Sequence, residues 1–96
     1  MAQQDILRRL VEHRATWQRL GAEKLAVFGS VAREEERSDS DLDVLVLFTD
    51  SPTFDQYMEL KFFLEEICGR SVDLVTVESI RPQLRPKIER EAIYVS

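Results

Sequence analysis

A chain of 96 residues has room for one hydrophobic core, so a single domain over residues 1–96 is expected. With 44% hydrophobic and 32% charged residues it falls outside the disordered class, and no apolar run approaches the roughly 20 residues that would span a bilayer. Eighteen acidic against 13 basic side chains give a net charge of −5, which excludes holding nucleic acid by field alone, because phosphate binding needs clustered Lys and Arg.

Along the chain, residues 4–20 place Ile6, Leu10, Trp17 and Leu20 on one helical stripe, with Leu7 and Val11 beside it and His13 at its wet margin. Gly21 suits the end of that helix. Leu25-Ala26-Val27-Phe28 reads as a short strand that stops at Gly29-Ser30, and the polar residues 31–37 allow one or two helical turns. Asp41 to Phe48 reads as the second strand. Ser51 or Thr53, with Pro52, opens a helix that runs through Cys68 and closes at Gly69. A third strand spans Val72 to Val77; Ser79 can cap the next helical stretch, and Pro82 and Pro86 break that region into short pieces. Ile93-Tyr94-Val95 adds a last extended segment. The order implies an α/β domain, a small mixed sheet flanked by helices.

One cysteine, Cys68, excludes an internal disulfide and a cysteine-based metal site, and one histidine, His13, excludes a multi-histidine catalyst. That usage, with the polar start MAQQD, points to a reducing cytoplasm. Chemistry must then come from carboxylates, hydroxyls and arginines.

The second strand carries the main signal. Leu42, Val44, Val46 and Phe48 share one face and Leu45 and Leu47 the other, the pattern of an interior strand. Asp41 and Asp43 sit together on one face at its N-terminal end. Two carboxylates that close repel unless a cation lies between them, and Mg²⁺ suits hard oxygen ligands. A merely solvated strand end would read the same way. Asp73, inside the third strand, either completes a three-carboxylate site beside that pair or faces water from an edge strand. Gly29-Ser30, directly after a strand, can bring backbone N–H groups and a hydroxyl to a phosphate.

Taken in order, Leu25-Ala26-Val27-Phe28-Gly29-Ser30-Val31-Ala32-Arg33, Ser40-Asp41-Leu42-Asp43-Val44-Leu45-Val46 and Val72-Asp73-Leu74-Val75 resemble the nucleotidyltransferase superfamily of DNA polymerase beta. Within it the chain is most similar to the minimal nucleotidyltransferases, the small proteins paired with HEPN-domain toxins. The resemblance implies the polymerase beta-like fold, with Gly29 and Ser30 at the triphosphate and Asp41, Asp43 and Asp73 as metal-binding catalytic acids. Ser40 is a further candidate at the nucleotide, and Arg33 either neutralises triphosphate charge there or is a surface arginine paired with Glu35 or Glu36. It also implies two Mg²⁺ ions and transfer of AMP from ATP to a tyrosine hydroxyl of a HEPN-type toxin, the chain acting as antitoxin in a hetero-oligomer. No membrane and no direct nucleic-acid contact is expected. A binding module that neutralises its partner by complex formation alone is the alternative, against which the three acids argue.

One departure stands out: many relatives carry glycine after the arginine, where this chain has Glu34, followed by Glu35 and Glu36. The three read as a solvated helix face, with the alternative that they weaken nucleotide binding. Lys87 and Arg85 could also face a nucleotide, but the sequence does not fix their direction. Trp17 and Cys68 read as packing residues, and Phe62, Phe63, Leu64 and Ile67 spread far enough round their helix to leave apolar surface uncovered.

Overall fold

The computed structural model describes residues 3–33 and 41–95. Two helices, α1 (Gln3–Glu12) and α2 (Arg14–Arg19), lead into strand β1 (Ala22–Phe28), a short helix α3 (Gly29–Ala32) and strand β2 (Leu42–Phe48). Helix α4 (Phe54–Cys68) crosses to strand β3 (Val72–Thr76), and a single 3₁₀ turn, Val77–Ser79, precedes helix α5 (Arg85–Glu91) and strand β4 (Ile93–Val95). The four strands form one mixed sheet in the order β3-β2-β1-β4. Strand β1 pairs antiparallel with β2 and β4, while β2 pairs parallel with β3. The parallel pair is joined through α4, the crossover that parallel strands require.

The core lies on one face of the sheet. Leu42, Val44 and Val46 of β2 and Leu25 and Val27 of β1 point into it and meet Ile6, Leu10, Trp17, Leu60 and Leu64 from the helices. On the other face Ala26 and Leu45 are also buried, and Leu45 borders a cavity shared with Arg85 and Glu89 of α5. Burial on both faces makes β2 the interior strand that its apolar pattern requires.

Several boundaries differ from the sequence expectation, each for a visible reason. The first helix is not continuous over 4–20 but breaks at His13. There the Trp17 indole Nε1 donates to the Leu10 carbonyl at 2.8 Å, and the His13 ring meets Phe63 edge-on at 5.9 Å. A side chain that takes a carbonyl of the ladder breaks the helix at that point. Helix α4 is as expected: the Thr53 hydroxyl accepts from the Gln56 N–H at 3.1 Å, and Gly69 ends it at φ +67°. Phe62 is left exposed on it. Ser79 caps no helix; its hydroxyl donates back to the Thr76 carbonyl, and α5 begins only at Arg85, with Pro86 in its first turn. The third strand stops at Thr76 rather than Val77, where the 3₁₀ turn takes over.

Candidate active site

Strand register brings the acids together. Asp43 stands opposite Asp73 in the parallel pair and opposite Phe28 in the antiparallel pair. Because β1 ends at Phe28, the chain turns into Gly29-Ser30 directly beside the Asp43 carboxylate. Asp41, two residues earlier, falls on the same face by the period of a strand. Asp73 lies on an edge strand and is exposed, the second of the two readings that the sequence allowed, and its register places it beside Asp43.

The scaffold around these residues fixes their placement. Leu42 N–H donates to the Ser71 carbonyl at 2.9 Å, tying the starts of β2 and β3. Glu65 of α4 accepts from the Val72 N–H and from Lys61 Nζ, both at 2.9 Å, and so holds the strand that carries Asp73. The Val72 N–H first, then Lys61, keeps that carboxylate below its ordinary value. Gln3 Nε2 donates to the carbonyls of Val31 and Ala32, fastening the end of α3 to α1.

A cleft of about 380 Å³ opens over Asp43 and Phe28. One wall is Gly29, Ser30 and Arg33; the other is α5, which contributes Leu84 just ahead of its first turn, then Lys87, Ile88 and Glu91. Arg33 Nη1 reaches Glu91 Oε2 at 3.1 Å and so bridges the two walls. The structure also fixes what the sequence left open: Lys87 faces this cleft, whereas Arg85 binds Glu89 at 2.9 Å and lines a separate cavity with Leu45, Leu47 and Tyr94. Leu84, Ile88 and Glu91 are site residues that sequence reasoning missed. Their signal was the i, i+3, i+4, i+7 spacing of 84, 87, 88 and 91, one face of a helix obscured by Pro82 and Pro86.

Asp43 is half-buried and its carboxyl titrates above the ordinary 3.8. Burial is the largest cause, followed by the charges of Asp73 and Asp41; Arg33 opposes the shift and Glu91 adds to it. Among the described residues no three acids close on a common point. Asp41 and Asp73 are exposed. The donor set nonetheless fits Mg²⁺, which binds through one or two carboxylates while retaining waters and phosphate oxygens. Ser40 and Glu34, Glu35 and Glu36 lie outside the described residues.

Residues 7–95 match the nucleotidyltransferase domain family. The chain belongs to that family. It is 38% identical over 78 residues to the protein adenylyltransferase MntA of Thermococcus cleftensis, covering 81% of this chain and 79% of that one. A solved structure named provisionally as a minimal nucleotidyltransferase is 41% identical and superposes with a TM-score of 0.85 over 97% of this chain and 95% of its own. The MNT antitoxin structure from Shewanella oneidensis, solved with a tri-AMPylated HEPN toxin, shares the fold at 21% identity and a TM-score of 0.63, over 91% of this chain and 70% of that one. This nucleotidyltransferase thus has the polymerase beta-like fold that its motifs led us to expect.

Proposed function

We propose that this chain is a Mg²⁺-dependent adenylyltransferase that moves AMP from ATP to a tyrosine hydroxyl of a HEPN-type toxin, and so acts as its antitoxin in the cytoplasm. The observation that carries the proposal is the placement of Asp43 between Asp73 on one strand and Gly29-Ser30 at the end of the other. The HEPN toxin found AMPylated with an antitoxin of this fold supports the acceptor, and the adenylyltransferase MntA supports the donor.

Ser30, with its hydroxyl and the backbone N–H groups of the turn, holds the triphosphate, and the Arg33 guanidinium adds a fork that suits phosphate. Asp41, Asp43 and Asp73 would hold Mg²⁺, which supplies charge neutralisation at the transferring phosphoryl group. The acceptor hydroxyl, its proton taken by the exposed Asp73, forms a bond to the α-phosphorus as the bond to the β-phosphate oxygen breaks. Pyrophosphate leaves on the Ser30 side. Positioning and charge compensation account for most of the acceleration in such transfers.

The test is the intact mass of a HEPN-type protein encoded beside this chain, after incubation with it, ATP and Mg²⁺. A gain of AMP units that is absent with Asp41→Ala/Asp43→Ala, and absent with EDTA while the complex persists, is the expected result. A stable complex without any mass gain would leave a non-catalytic binding module in its place.

A further inference from the structure

The nucleotide wall formed by Gly29, Ser30 and Arg33 is polar, as a triphosphate requires. The facing wall has a different chemistry. Leu84 is 47% exposed and lines the cleft among the charged groups of Arg33, Asp43, Lys87 and Glu91, and half-buried Ile88 lies one turn further along the same face. Lys87 stands between them in sequence and faces the same space. An apolar shelf next to a cation, opposite a phosphate-type turn, matches the two halves of a nucleotide: a flat apolar face and an anionic tail.

We infer that α5 is the second half of the nucleotide site, with Leu84 and Ile88 forming the shelf for the nucleoside and Lys87 neutralising the triphosphate. The inference rests on the transferase reading and extends it to residues outside the motifs. Three features support it. The four residues at 84, 87, 88 and 91 share one helical face, so one rigid element presents shelf and cation together. That element is anchored at its far end, where Glu91 pairs with Arg33 and β4 follows at once onto β1. The cleft volume, about 380 Å³, falls within the range of small-ligand sites, which are mostly apolar with a few placed polar groups. The alternative residue for the phosphates, Arg85, is occupied elsewhere with Glu89.

The experiment compares two probes on the full chain in Mg²⁺ buffer by titration calorimetry: ATP, which has both halves, and inorganic tripolyphosphate, which has only the anionic one. Leu84→Ala removes apolar contact without opening the core and should weaken ATP by about five- to tenfold, with the tripolyphosphate affinity unchanged. Ile88→Ala should act in the same direction, its unfolding midpoint measured alongside to separate binding from stability. Lys87→Ala should weaken both probes by a similar factor. If Leu84→Ala leaves ATP binding unaltered, or shifts both probes equally, the shelf is overturned while the transferase reading stands. A wild-type chain that binds neither probe would overturn the transferase reading and the shelf with it.

Discussion

A β-carbon built on Gly29 stands 2.1 Å from Asp43 Oδ2, and Gly29 itself holds φ +72°. The glycine is therefore required twice, once by a left-handed backbone and once by the carboxylate packed against it. Gly29→Ala should cost roughly 2–5 kcal/mol in urea denaturation, the sum of a left-handed alanine and an overpacked contact. Adding Asp43→Ala should recover the packing part and leave the backbone part. Full additivity of the two single-variant effects would show that the carboxylate does not press on Gly29.

Asp43 costs stability in the absence of a cation. Its folded-state pKa is raised above 3.8, chiefly by burial and then by Asp73 and Asp41, so its protonated form favours the fold. That contribution is complete below the ordinary carboxylate value and is lost as the pH rises through the raised one. Asp43→Asn should unfold at a higher temperature than wild type at pH 7 in EDTA, with the difference shrinking as the pH falls to 3.8. The same variant should keep the fold and lose transfer. Undiminished turnover would remove Asp43 from the metal site.

Cys68 is buried at the end of α4, and burial pushes its thiol up to about 11 from 9.0. It should resist iodoacetamide at pH 8 in the folded chain and react fully in urea, read by mass. The stability it contributes is complete below 9.0 and is lost as the pH climbs through about 11. Rapid labelling of the native protein would show that the end of α4 opens readily.

Local rules made much of the site readable. Asp41 and Asp43 on an otherwise apolar strand, Thr53 ahead of α4 and Gly69 after it each announce themselves within a few residues. Asp73 was recognisable as misplaced in an apolar strand, but its pairing with Asp43 depends on a register that only the α4 crossover sets. The break at His13 was hidden because it depends on Trp17 reaching back to Leu10 and on Phe63 arriving from α4. The direction of α5 was hidden for the same reason. A seven-residue helix after two prolines has a face only once the sheet tells it which side is inside.

The position of Trp17 has a practical consequence. It is the sole tryptophan, fully buried among the helices on the face of the sheet away from Asp43. Its emission is thus an internal optical gauge of whether the helical layer has closed over the strands, with little sensitivity to what occupies the cleft. One fluorescence spectrum per variant tells a collapsed protein from an intact but silent one, before any nucleotide is added.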